Sequence, residues 1–255
     1  EFRRVLFRSC SLTLKTGLKT LTAAMIGIAS FQACADVVIS GTRIVYQQSM
    51  KDVIVNLDNR GKNPLLLQIW LDDGSPNVNP QELKLPFVIT PPISRIDPGK
   101  GQSVRVTYLQ QPLPQDRESL FWFNVLEIPK KATAKDGESQ NQLQLAFRTR
   151  IKLFFRPDGL KGTPGEAMKQ VKWSQTRQGN TLSLVGRNDS PYNVSLSSAT
   201  FKVGAKEYEI DSKSIKPFSS ETMTVKGLTN SASGEVVYIA INDFGGTEKL
   251  TANVN

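Results

Sequence analysis

From Asp36 to the C-terminal end, apolar residues come in short runs separated by turn formers. "DVVISGTRIVYQQ", "KDVIVNLDNRG", "LLLQIWLDDG", "QSVRVTYLQ", "SLFWFNVLEIP" and "NQLQLAFRTRIKLFF" are rich in Val, Ile, Leu, Phe and Trp. Between them stand turn signals such as Asn59-Arg60-Gly61, Pro91-Pro92 and Asp97-Pro98-Gly99. Such runs, bounded by Gly, Pro, Asn and Asp, predict β-strands. No segment holds an apolar period of 3.6 residues, although "GTPGEAMKQVKW" predicts a short helical turn. The spacing of the strands points to antiparallel sandwiches. "RPDGLKGTPGEA" suits a linker or a domain corner. Beyond it the short-strand pattern resumes, with fewer aromatics and more Ser, Thr and Asn. The expectation is an all-β protein with two β-sandwich domains, residues 36–157 and 158–255.

One strand stands apart. "LQLAFRTRIKLFFRPDG", from Leu143 to Gly159, carries Arg148, Arg150, Lys152 and Arg156, with no acidic residue before Asp158. Cations on a strand face water, pair with carboxylates of the fold, or await an anionic partner. Its first part alternates Leu143, Leu145 and Phe147 with Gln142, Gln144 and Ala146. One reading packs this apolar row on a core. The other stands it over an open groove at a sheet edge, where another chain adds a strand. Alternation does not separate the two. The preceding segment "PKKATAKDGESQN", Pro129 to Asn141, is polar and charged and predicts a loop.

The N-terminal segment changes the composition that matters. "LKTGLKTLTAAMIGIASFQACA" runs from lysines at 15 and 19 through an apolar stretch to Ala33 and Ala35. That order predicts a secretory leader cut after Ala35, the apolar run being short for a membrane span. Cys34 raises a lipoprotein as the alternative, for which Phe31-Gln32-Ala33 is a poor lead-in. "EFRRVLFRSC" reads as carry-over sequence. Loss of residues 1–35 takes both cysteines with it and lowers the net charge from +9 to about +5. The remaining 220 of the 255 residues hold no cysteine and no histidine. No disulfide forms in them, and Ser-His-Asp sites, Cys-His sites and His-ligated zinc are excluded. Hydrophobic residues at 39 % and charged residues at 22 % suit a folded chain. The mild basicity lacks the dense Lys/Arg patches of a nucleic-acid binder.

Lys152 lies in "RIKLFFRP" between apolar neighbours, and a partly buried ammonium needs an anion. Glu118 and Asp243 are candidates, but Arg156 competes for both, and its planar fork is the better buried partner. Lys152 is then left for an external anion. Arg43 in "ISGTRIVY" poses the same question near the start of the cut chain. Asp72-Asp73 suggests a glycosidase pair, except that neighbouring strand residues point to opposite faces. A pilus subunit or adhesin is the structural alternative; it would ordinarily be one domain with an internal disulfide, and neither feature is here.

These segments resemble the periplasmic chaperones of chaperone–usher pilus assembly. "LPQDRESLFWFNVLEIP" (113–129) and "RIKLFFRP" (150–157) carry most of the resemblance. "ITPPISRIDPG" (89–99), "NDSPYNVSL" (188–196) and "YIAINDFGG" (238–246) support it in order. The resemblance implies two immunoglobulin-like domains in a boomerang arrangement, no enzymatic activity, no cofactor and no metal. It implies that Arg43 and Lys152 anchor the C-terminal carboxylate of a pilus subunit. Leu143, Leu145 and Phe147 would fill the groove of an incomplete subunit, by donor-strand complementation, before delivery to an outer-membrane usher. Glu118, Arg156 and Asp243 would form an interdomain charge cluster. Absence of cysteine in the cut chain points to the short-loop branch. The partners implied are fimbrial subunits and the usher, with no nucleic acid and no membrane insertion after leader removal. Self-capping as a homodimer stays open. Lys152 is even and the apolar triplet odd, so a plain strand sends them to opposite faces. Either a bulge or twist intervenes, or the anchor is reached from the other side.

Overall fold

The computed structural model describes residues 36–75, 79, 82–129, 145–179 and 181–254. Leu143, the leader and most of the loop expected after Pro129 lie outside the described residues. The first half builds two facing sheets. One has the order β1-β3-β7-β5, from Val37–Ile39, Asp52–Asn59, Gly101–Tyr108 and Phe87–Thr90. The other runs β2-β9-β8-β4-β6, from Arg43–Gln47, Phe147–Arg156, Ser119–Pro129, Leu65–Asp72 and Ile93–Ile96. Period-two alternation fills the space between them. Val55, Leu57, Val104 and Val106 from one sheet meet Leu67, Ile69, Phe123, Val125, Leu153 and Phe155 from the other, all buried. Each such side chain contributes about 1.5–3 kcal/mol by leaving water. Tyr46 sits fully buried beside Phe87, Tyr108 and Phe155. Its hydroxyl donates to the Lys51 carbonyl at 2.9 Å and accepts from the Tyr108 amide at 3.1 Å, so its polar end is satisfied.

The run "DVVISGTRIVYQQ" reads as one strand, yet it is two in two sheets. β1 pairs antiparallel with β3, whereas β2 pairs parallel with β9, the exception to the antiparallel expectation. The crossing occurs at Gly41, whose φ of 110° is costly for any residue with a Cβ. Only pairing partners far along the chain decide this split, so the local apolar pattern did not reveal it.

The second half repeats the plan. β10 (Lys172–Gln178), β11 (Thr181–Asn188) and β14 (Ser219–Thr224) form one sheet. β13 (Lys206–Ile210), β12 (Leu196–Val203), β15 (Gly234–Ile241) and β16 (Thr247–Val254) form the other, in that order. Trp173, Leu182, Leu184, Phe201, Ile215, Met223, Val236 and Tyr238 share its core. The expected helical turn is α1, Pro164–Lys169. Thr163 Oγ1 caps it by accepting from the Glu166 amide at 3.2 Å, and proline takes the first turn, where its missing N–H costs nothing.

Candidate functional site

β9 is regular. It pairs with β8 in unbroken antiparallel register from Phe147 opposite Glu127 to Phe155 opposite Ser119. Alternation therefore puts 147, 149, 151, 153 and 155 on one side and 148, 150, 152, 154 and 156 on the other. Leu153 and Phe155 are in the core and Ile151 packs against it, but Phe147 is 49 % exposed and Leu145 57 %. The apolar row thus runs out of the core into solvent. No bulge intervenes between Phe147 and Lys152, so the lysine and Phe147 occupy opposite faces of the strand, the second of the two arrangements considered above.

The other edge of β9 is only half covered. β2 pairs with Lys152–Arg156 alone, from Arg43 opposite Lys152 to Gln47 opposite Arg156. Among the described residues, no strand pairs with 147–151 on that side. The backbone groups there form an open edge immediately before Lys152.

Three of the four strand cations are satisfied within the fold. Arg148 donates to Asn124 Oδ1 at 2.9 and 2.7 Å and to Asp72 Oδ2 at 3.2 Å, and lies 4.9 Å over the Trp70 ring. Arg150 bonds Asp72 Oδ1 and stacks 4.3 Å over Trp122. Asp72 also accepts from the Gly74 amide at 2.7 Å and Asn124 Nδ2 at 2.8 Å. Burial would raise the Asp72 pKa, but the bonds from Arg150, Asn124 and Gly74 outweigh it and hold the carboxyl below its ordinary value. Asp72 is therefore a structural counter-ion. Arg156 binds Glu118 Oε1 at 2.7 Å and grips Asp243 at 2.8 and 3.1 Å. Glu118 Oε2 accepts from the Asn193 amide at 2.8 Å and its side chain at 3.1 Å. Glu118, Arg156 and Asp243 are thus together, joining the first sandwich to the second.

Lys152 is different. Its Nζ donates to two hydroxyls of the second sandwich, Ser195 at 2.9 Å and Ser214 at 2.5 Å. Burial, then the neighbouring charge of Arg43, lowers its pKa from 10.5 to about 8. Arg43 is directly opposite in the parallel ladder. Its Nη1 donates to the Ile241 carbonyl at 2.9 Å, while its buried Nε has no partner. Burial lowers the Arg43 pKa against the opposing attraction of Asp243, a carboxylate already held by Arg156. Among the described residues, no carboxylate forms an ion pair with either cation. The turn at 242–246 lies close against the first sandwich, since a Cβ on Gly245 would collide with Thr42. In front of Lys152 opens a hollow of about 710 Å³, lined among others by Trp122, Phe154, Ser214, Lys216 and Arg117.

The resemblance brought together Arg43 with Lys152 and Glu118 with Arg156 and Asp243, but the part played by Asp72 as a counter-ion was missed, as were Asn124, Ser195 and Ser214. A signal for the first two was present. Leu67, Ile69 and Leu71 claim the core face of β4, and Phe121, Phe123 and Val125 that of β8, which assigns Asp72 and Asn124 to the face of the cations. No comparable signal marks the serines.

The fold is thus two β-sandwiches joined by the ion cluster of Glu118, Arg156 and Asp243, with a strand edge beside two cations that form no ion pair with a carboxylate among the described residues. Residues 36–161 match the family model described as pili and flagellar-assembly chaperone, PapD N-terminal domain. Residues 166–252 match pili assembly chaperone PapD, C-terminal domain. The chain belongs to the pilus-assembly chaperones, a family of non-enzymatic proteins, and its relatives are fimbrial chaperones of the chaperone–usher pathway. It is 52 % identical over 219 residues to the probable fimbrial chaperone YadV of Escherichia coli, covering 85 % of this chain and 89 % of that one. It is 38 % identical over 244 residues to the chaperone protein FimB/FhaD of Bordetella pertussis, covering 94 % and 97 %. The crystal structure of the YadV chaperone superposes with a TM-score of 0.74 at 49 % identity, covering 86 % of this chain and all of that one. The SafB chaperone, solved in complex with the SafA pilin of Salmonella enterica, superposes at 0.70 with 25 % identity, covering 86 % and 97 %.

Proposed function

We propose that this protein is a periplasmic chaperone that captures one pilus subunit by donor-strand complementation and hands it to an outer-membrane usher without ATP. The observation that carries the reading is the pair Arg43 and Lys152, which among the described residues forms no ion pair with a carboxylate, beside the part of the β9 edge that no described strand covers. A subunit lacking its last strand exposes an apolar groove and an unpaired edge, which invites aggregation. β9 and the residues before it supply backbone hydrogen bonds, and Leu143, Leu145 and Phe147 supply the apolar cover. The subunit's terminal carboxylate takes Arg43 and Lys152. Each charged hydrogen bond contributes on the order of 1.5–3 kcal/mol. The anchor's main product is register, because a slip of one residue turns every groove-facing side chain away.

In this reading residues 1–35 comprise carry-over and leader, 36–157 the donor domain, and 158–255 the domain that supplies Ser195 and Ser214. Glu118, Arg156 and Asp243 orient the domains and do not touch the subunit. The same open edge lets a second copy cap the first in the absence of subunit. A pilin C-terminal peptide, titrated calorimetrically into residues 36–255 as free acid and as amide, tests the anchor. Preference for the free acid, lost in Lys152→Ala, is expected. Equal binding of both peptides would mean that Lys152 is satisfied by Ser195 and Ser214, and would overturn the assignment.

A further inference from the structure

The start of the described chain meets a buried carboxylate that subunit capture does not use. Glu127 lies on the core side of β8, in the row of Phe121, Phe123 and Val125, and is 3 % exposed. A carboxylate so placed is unfavourable without partners. Those it has are the backbone amides of Asp36 and Val37. Its Oε1 is buried with no hydrogen-bond partner among the described residues. Burial, and after it the charge of Asp36, push the Glu127 carboxyl above its ordinary range, and among the described residues no cation pairs with it. The segment that delivers the two amides is fixed from its other side. β1 pairs Val37 with Asn59, Val38 with Asp58 and Ile39 with Leu57, and the Arg60 amide donates to the Asp36 carbonyl at 2.7 Å.

We infer that Glu127 is the seat of the α-ammonium group that leader removal creates on Asp36. The inference rests on the cleavage after Ala35 proposed above. Before cleavage the Asp36 nitrogen is an amide with one hydrogen to donate. Hydrolysis by a processing peptidase breaks the Ala35–Asp36 bond, water adds to Ala35 as a carboxylate, and Asp36 is left with an ammonium carrying three donors. That cation forms beside a buried carboxylate that already faces the Asp36 nitrogen and has an oxygen unfilled. A charge-assisted bond closes there, and it also offsets the repulsion between Asp36 and Glu127. Processing thereby fastens β1 to the first sandwich, and the uncut chain holds that strand more loosely.

The experiment compares residues 36–255 with a free Asp36 amine, the same chain Nα-acetylated, and the chain extended by Gly-Ser, each also as Glu127→Gln. Acetylation or extension is expected to lower the unfolding midpoint of wild type by roughly 4–8 °C and to change Glu127→Gln little. Amide hydrogen exchange at Val38 and Ile39 is expected to speed up by about tenfold or more in the blocked wild-type chains alone. Equal midpoints and equal exchange for free and blocked wild-type chains overturn the inference, as does an equal loss on blocking in Glu127→Gln. Mass spectrometry of the exported protein reads the cleavage separately. A start at Asp36 supports it; any other start overturns the cleavage and this inference with it, and leaves subunit capture untouched.

Discussion

Replacing Lys152 with methionine should make the protein more stable and less able to capture subunits. The ammonium faces Arg43, donates to two hydroxyls, lies 5.8 Å over the Trp122 ring, and has its pKa lowered from 10.5 to about 8. Near pH 7 the fold therefore carries a charge that costs roughly 3 kcal/mol relative to the unfolded chain, at about 1.4 kcal/mol per pH unit. Methionine keeps the length of the stem and removes the charge, but it leaves the Ser195 and Ser214 hydroxyls without that donor, at about 1 kcal/mol each. The balance is a gain of about 1 kcal/mol at pH 7. Between pH 8 and 10.5 the unfolded chain holds a proton that the folded chain has released, so wild-type stability climbs through that window and the variant's does not. Urea unfolding of both proteins at intervals from pH 7 to 10.5 reads the difference, in which the titrations common to both cancel. Capture of a free-acid pilin peptide should be lost in the variant at every pH. A variant less stable than wild type at pH 7 by more than 1 kcal/mol, or a difference that stays flat with pH, would refute the reasoning.

Other perturbations separate the structural cations from the binding ones. Arg156→Ala leaves Glu118 and Asp243 without their shared counter-ion and should cost about 3 kcal/mol, seen as a lower denaturation midpoint; an unchanged midpoint counts against its structural role. Asp72→Ala strips Arg148 and Arg150 of their paired carboxylate and should destabilise by about 2–4 kcal/mol in urea titration, since the cations remain over Trp70 and Trp122 with only the more distant Asp73 acting on Arg150. A loss below about 0.5 kcal/mol would show that water serves them equally well. Phe147→Ser removes an exposed apolar side chain and should leave the midpoint within about 0.5 kcal/mol of wild type while weakening subunit capture at least tenfold. Capture at wild-type strength would remove Phe147 from the donor row.

What the sequence by itself determined is the class of fold and the two faces of the critical strand. Short apolar runs with turn formers between them allow little but β-structure, because their period suits a pleat and not a helix. The parity of Phe147, Leu153 and Phe155 against Lys152 was legible too, since alternation is a property of any regular strand. The resemblance to pilus chaperones added the grouping of Arg156 with Glu118 and Asp243. What each cation meets was decided only in three dimensions. Arg148 and Arg150 find Asp72 across 76 and 78 residues, and Lys152 finds Ser195 and Ser214 across 43 and 62. The division of "DVVISGTRIVYQQ" between two sheets, which sets Arg43 beside Lys152, is of the same kind. Local pattern says which way a side chain points, but strand order and register say what stands there. Those depend on the packing of the whole sandwich, to which every distant strand contributes.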